Sequence, residues 1–259
     1  MPLEKPNFEQ EREYNPEKLE GLDRLKNFLE SSSFELKKEG VPVDYNGRVD
    51  INFFNTIYPE GELSQDNKLV DSFKERWYSE VGSGIDYLEM LKTAIFKKFF
   101  GAKFIVVRSS YYDDIENGVD NIILERETGN VVCALDNVGD IKGESFEEEK
   151  EKVLKRNIVQ GGITLKYGFL PGKDNKGFKL GKIESLPVFY LALSKTKIEE
   201  GIKKFVPSPQ GKSDKERELF EYFLATMTYQ TEELLLREVL DLEVRKRIED
   251  FKDSLKNIG

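Results

Sequence analysis

Between Tyr111 and Asp140 the chain reads YYDDIENGVDNIILERETGNVVCALDNVGD: two apolar runs separated by a turn and fenced by aspartates. Asn121–Leu124 and Val131–Leu135 have the length and β-branched content of strands. Glu127-Thr128-Gly129-Asn130 joins them, so the stretch predicts a β-hairpin. Asp113, Asp114 and Asp120 precede the hairpin, and Asp136 and Asp140 follow it. A turn centred on Thr128 sets Asp120 directly opposite Asp136. Opposed Cβ atoms in such a pair lie about 4.5–5.5 Å apart. Two carboxylates at that distance repel unless a shared proton, a nearby lysine or arginine, or a bound cation compensates. An oxygen-only cluster of this kind suits Mg²⁺, Mn²⁺ or Ca²⁺. The same aspartates can equally be strand-end residues facing water.

The rest of the composition narrows the chemistry. The 259 residues include no histidine and a single cysteine, Cys133. Ser-His-Asp and Cys-His catalysis, His-ligated metals and an intrachain disulfide are therefore excluded. Any acid–base or metal chemistry must come from carboxylates, lysines, tyrosines or bound water. Hydrophobic residues make up 38% of the chain, enough for a core, and charged residues 34%, which predicts solvated helix faces. The net charge of −9 does not attract polyanions from a distance, so nucleic acid would have to enter through a local groove. No apolar run approaches the roughly 18 residues of a membrane helix, and Met1–Tyr14 lacks the core of a signal peptide. A cytoplasmic protein with no membrane partner is the expectation.

Along the chain, residues 1–15 are expected to have little fixed structure. Pro16 opens a helix with Leu19, Leu22, Leu25, Phe28 and Leu29 on one face, ended by Ser31–Ser33. Short strands are expected at Phe34–Leu36 and Arg48–Phe53. A helix from Ser64 to Glu80 carries Leu69, Phe73 and Trp77. Another from Ile85 to Phe100 carries Leu88, Leu91, Ile95 and Phe99, with Gly101 as its stop. From Lys103 the period shortens to that of strands: Phe104–Val107, then the hairpin. A charged helix (Phe146–Val159), strands at Ile163–Tyr167 and Leu186–Leu193, and helices from Asp214 and Leu240 complete the chain. The loop Lys173–Lys182, with Lys173, Lys176, Lys179 and Lys182 among glycines, suits either a nucleic-acid contact or a solvated connection. The fold class that follows is α/β: a mixed central sheet of about five strands flanked by helices. The expected divisions are an N-terminal helical extension over 16–84, a core over 85–206, and C-terminal helices over 207–259 packed on that core.

The acidic helix, the strand, Gly118-Val119-Asp120 opening a second strand, and a third strand ending in Ala134-Leu135-Asp136 resemble the PD-(D/E)XK nuclease-like superfamily. The order of elements over roughly residues 85–195 resembles its αβββαβ core. Segments such as YYDDIENGVDNII and CALDNVGD also look like those of uncharacterised bacterial proteins of this layout. The resemblance implies a metal-dependent phosphodiester hydrolase, or a catalytically inactive relative serving as a binding or assembly module. It implies Mg²⁺ or Mn²⁺ held by Asp120, Asp136 and, from the first helix, Glu89. A lysine should follow the second acid by two positions, but Val138 stands there. Lys166 on the next strand is the expected substitute, orienting water. Asp113 and Asp114 are possible accessories. Arg108 either contacts a phosphate or balances Asp113 or Asp114. Glu89 and Lys166 also have ordinary readings, as a solvated helix residue and a strand lysine.

Overall fold

The structure is a computed structural model that describes residues 16–80, 84–138, 144–173 and 177–256. The expected flexible segment 1–15 and Asp140 lie outside the described residues, as do Lys176 and the side chains of Trp77 and Ile85.

Helix α1 (Pro16–Lys38) leads into a 3₁₀ turn (Ile51–Thr56), helix α2 (Glu60–Glu80) and helix α3 (Gly84–Phe100). Strand β1 (Phe104–Arg108), the short helix α4 (Tyr111–Asn117), strands β2 (Asn121–Glu125) and β3 (Val131–Val138) and helix α5 (Glu144–Ile158) follow. Strands β4 (Ile163–Pro171), β5 (Phe178–Leu186) and β6 (Val188–Ala192) precede helices α6 (Lys195–Lys203), α7 (Asp214–Leu235) and α8 (Leu242–Lys256). Four strands form one mixed sheet in the order β1-β2-β3-β6, with β3 and β6 parallel and the other pairs antiparallel. Strands β4 and β5 form a separate two-stranded sheet. The sequence of helix, three strands, helix and strand is present, with α4 inserted between β1 and β2 and the β4–β5 hairpin between α5 and β6.

Strand alternation divides the interior in two. Phe104, Val106, Ile123, Cys133, Leu135, Phe189 and Leu191 face α1, α3, α7 and α8. Ile105, Val107, Ile122, Leu124, Ala134, Val188 and Tyr190 face the other way, onto the β4–β5 hairpin, α5 and the segment around Val41–Phe54. Leu22, Leu25, Phe28 and Leu29 of α1, and Leu219, Phe223, Val244 and Phe251 of α7 and α8, share one core with the sheet. The terminal helices are therefore part of the main core. No helix among the described residues is long and apolar enough to cross a membrane.

Several local expectations are corrected. The serines do not end the first helix. The Ser33 hydroxyl donates to the Leu29 carbonyl at 2.7 Å, a back-bond that a helix tolerates, and Leu36 buries one turn further on. Phe34–Leu36 is thus helical. Arg48 and Val49 form only isolated bridges, with Arg108 and Val43, and the 3₁₀ turn starts at Ile51. Among the described side chains of α2, Leu63, Asp66 and Val70 are buried, and the expected Leu69 and Phe73 are half-buried. The acidic stretch before the hairpin is helix α4: Ser110 caps its N-terminus, and Gly118 closes it at φ 60°, in the left-handed region. Strand β5 replaces the later half of the expected lysine loop.

Candidate functional site

The hairpin has the predicted register at its open end. Asn121 pairs with Leu135, Ile122 with Ala134 and Ile123 with Cys133, and a bulge enters only beyond Ile123. The Asp120 amide continues the ladder, donating to the Leu135 carbonyl at 2.9 Å. Asp120 and Asp136 therefore stand at the same end of the sheet, beside each other. Their carboxylates part company. Asp120 turns to the end of β3 and accepts the Asn137 amide. Asp136 shares strand parity with Ala134 and binds Arg156 of α5 at 2.7 Å.

The partners that Asp120 does meet come from α3 and α4. Carboxylate oxygens of Glu89, Asp114 and Asp120 lie within 4.8 Å of one another. Glu89 is 2% exposed and sits on the face of α3 that packs on the sheet ends. Arg48 donates from one terminal nitrogen to both Glu89 oxygens, at 2.8 and 2.9 Å. Arg108, from the last position of β1, adds two bonds of 2.7 Å. Arg48 also reaches Asp114, at 3.1 Å. Burial would push the Glu89 carboxyl up, but Arg108 and Arg48 hold it below the ordinary range.

One turn along α3 from Glu89, Lys92 is fully buried. Its Nζ donates to Asn137 Oδ1 at 2.5 Å, on the same β3 residue whose amide binds Asp120. Burial lowers the Lys92 ammonium against the pull of Asp120, Glu89 and Asp136. Asp120 is driven well above its ordinary value by burial and by the nearby Asp114. Burial raises Asp114 to about 6, with Arg48 opposing. It raises Asp136 as well, against Arg156. These carboxylates are under-neutralised, which is the condition that a divalent cation relieves. Three of the four buried side-chain polar atoms without a hydrogen-bond partner among the described residues belong here: Arg48 Nε, Asn121 Oδ1 and Asn137 Nδ2. The donor set is all oxygen and fits a hard cation such as Mg²⁺ or Mn²⁺.

Asp113 and Lys166, two of the other expected site residues, lie apart from this centre. Asp113 is a structural carboxylate. One oxygen accepts the Lys166 amide and Asn117 Nδ2, both at 2.8 Å. The other accepts the Ser110 hydroxyl at 2.8 Å and the Tyr167 amide at 3.1 Å. It pins α4 to β4, although burial still pushes its carboxyl up. The Lys166 ammonium binds Asp66 at 2.5 Å and Glu62 at 2.6 Å on α2. Arg108 lies within the centre: it pairs with Glu89, and its charge also pulls down the carboxyl of Asp114, one of the partners expected for it.

Sequence reasoning missed Arg48, Lys92 and Arg156. Lys92 had a usable signal, the i to i+3 spacing from Glu89 on one helix. Arg48 had none, since it stands in a loop remote in sequence from every group it binds. No family model, curated protein or solved structure matches the chain.

Proposed function

We propose that this chain hydrolyses phosphodiester bonds, with Mg²⁺ or Mn²⁺ held at Asp120. The observation that carries the reading is the under-neutralised group of buried Asp120 and half-buried Asp114 with buried Lys92 beside it. Asp120 and Asp114 are the ligands with oxygens to spare. Glu89 is within reach, but each of its oxygens already accepts from both arginines. Asp136 adds negative charge from the α5 side. A bound cation of this type polarises phosphate oxygens and lowers the pKa of a coordinated water. Lys92 takes the role that the family resemblance gives to a lysine on the third strand and that Lys166 was expected to fill. Its ammonium, fixed by Asn137, stabilises charge developing on the phosphoryl oxygens. In the overall step water adds to phosphorus, the bond to the leaving sugar oxygen breaks, and that oxygen takes a proton. The substrate class is nucleic acid, admitted through a local groove.

The test pairs binding with cleavage. Mg²⁺ or Mn²⁺ should raise Tm in the wild type and not in Asp120→Asn. Labelled DNA or RNA oligonucleotides should be cut by the wild type, and at least about 100-fold more slowly by Lys92→Met, the usual scale for one electrostatic group. No metal response together with no cleavage overturns the proposal. That result would favour a second reading, a non-catalytic relative acting as a binding or assembly module. One observation supports it: Arg48 and Arg108 saturate Glu89, and Arg156 pairs with Asp136, so much of the charge is balanced within the chain.

A further inference from the structure

Helix α2 docks on β4 through a buried carboxylate. An amphipathic helix normally turns an unbroken apolar stripe inward. Among the described side chains of α2 the buried ones are Leu63, Asp66 and Val70, with a carboxylate in the middle. Asp66 is 8% exposed and is met from β4 by two groups, the Lys166 ammonium at 2.5 Å and the Tyr167 hydroxyl. Glu62, one turn earlier, takes the same ammonium at 2.6 Å. The ammonium is also ringed by aromatic faces, with centroids of Tyr58, Tyr112 and Tyr167 at 5.1, 5.0 and 5.5 Å. Together they make an ammonium cage whose occupant belongs to the chain itself.

The other end of α2 reaches the candidate site. Lys74 lies over the Tyr111 ring at 3.7 Å from its centroid, and the Arg48 guanidinium lies 4.1 Å from the same centroid. Arg48 is the residue that binds Glu89 and Asp114. Tyr111 opens α4, the helix that presents Asp114. Lifting α2 would uncover α4 and the Arg48 end of the carboxylate group.

We propose that α2 is a hinged cover over the carboxylate centre, latched by Lys166 in its cage of Tyr58, Tyr112, Tyr167, Glu62 and Asp66. The energetics favour α2 over α3 as the element that opens. Among its described side chains it buries two aliphatic ones, Leu63 and Val70, worth about 1.5–3 kcal/mol each. Helix α3, by contrast, buries Leu88, Met90, Leu91, Ala94, Ile95, Phe96 and Phe100. Local openings are drawn from the elements with the fewest buried apolar contacts. The latch stands on geometry alone; its role as a gate rests on the reading of the centre as a metal site.

Amide hydrogen exchange tests the latch without metal or substrate. In the wild type the α2 amides should exchange faster than those of α3 and the central sheet, by local opening. Lys166→Met should speed the α2 amides roughly 10- to 100-fold, the worth of a charged hydrogen bond, and leave α3 unchanged. Lys166→Arg, which keeps a cation for Asp66 and Glu62, should stay near the wild-type rate. If α2 exchanges only together with α3, or if Lys166→Met accelerates all elements equally, the cover does not exist. Stopped-flow Mn²⁺ uptake then tests the gate, with faster uptake expected in Lys166→Met. Uptake at the wild-type rate overturns gating. Absence of Mn²⁺ binding in both proteins sinks the metal reading but leaves the exchange result standing.

Discussion

Helix α3 carries two buried ionic regions, and they are built on opposite principles. Near its C-terminal end, Lys98 meets Glu216 with both side chains at 0% exposure. The same ammonium also donates to the Val206 carbonyl and, at 3.1 Å, to the Gly211 carbonyl, and it lies over the Phe205 ring. Glu216 completes the capping box of α7 with Ser213. Among the described residues no buried side-chain polar atom of that pair is left without a partner. Near the N-terminal end, Glu89 and Lys92 join Arg48, Arg108, Asp114 and Asp120 in a group where the Asp114 and Asp120 carboxyls are raised and whose edges hold orphaned polar atoms. A closed pair fixes the fold. An open group keeps capacity for a ligand, and burial alone does not distinguish the two.

Breaking the closed pair should have the largest effect. Lys98→Met leaves Glu216 buried without its cation, and such a break costs about 3–5 kcal/mol. Urea unfolding measures it, and a loss below about 1 kcal/mol would place the pair with solvated ones. Gly118→Ala comes next, at about 1–2 kcal/mol. The position has φ 60°, and a Cβ there would run into the Arg156 guanidinium. Arg156 would have to leave Asp136, so the same variant should also change the Asp136 titration seen by NMR.

The open group predicts a pH effect of defined sign. A carboxyl raised in the folded state binds a proton that the unfolded chain has already released. Stability therefore falls as pH rises from the unfolded value, about 3.9, through the folded one. Asp114, at about 6, places that loss mainly between pH 4 and 6, and Asp120 and Asp136 add to it. Glu89 acts the other way: its lowered carboxyl stabilises as pH rises, but that gain is complete near pH 5. Between pH 5 and 7 the metal-free protein should lose about 1 kcal/mol, after allowing for the solvent that Asp114 partly sees. Chemical denaturation across that range checks it, and Asp114→Asn should flatten the slope.

What could be read from the chain follows the same division. Strand periodicity and the turn gave the hairpin, its register and the neighbouring Asp120 and Asp136, because a period of two is a local property of sequence. The destinations of the side chains were not local. Whether Asp136 meets Asp120 or Arg156 depends on where α5 packs, and the lysine beside Asp120 came from α3, where only helix spacing hinted at it. Helix α4 was within reach: Ser110, three residues before Asp113, and Gly118 are its cap signals. Asp66 was not, because a carboxylate on the inward face of α2 makes sense only once Lys166 and Tyr167 are beside it.

The smallest effect expected is also the sharpest test of the comparison. Asp120→Asn keeps an oxygen to accept the Asn137 amide and removes a charge that the folded chain holds reluctantly. If the group is open, the substitution should leave stability within about 1 kcal/mol of wild type at pH 7, on the stabilising side. The gain should shrink as pH falls toward 4, where the folded chain's carboxyl is protonated and only the unfolded chain's still ionises. The analogous change in the closed pair, Glu216→Gln, leaves Lys98 buried without its anion and should destabilise. Opposite signs at pH 7 in parallel denaturation curves would establish that α3 carries one ionic region for stability and one at stability's expense. Matching losses would mean that Asp120 is as structural as Glu216, and the argument for a ligand at the strand ends would fail with it.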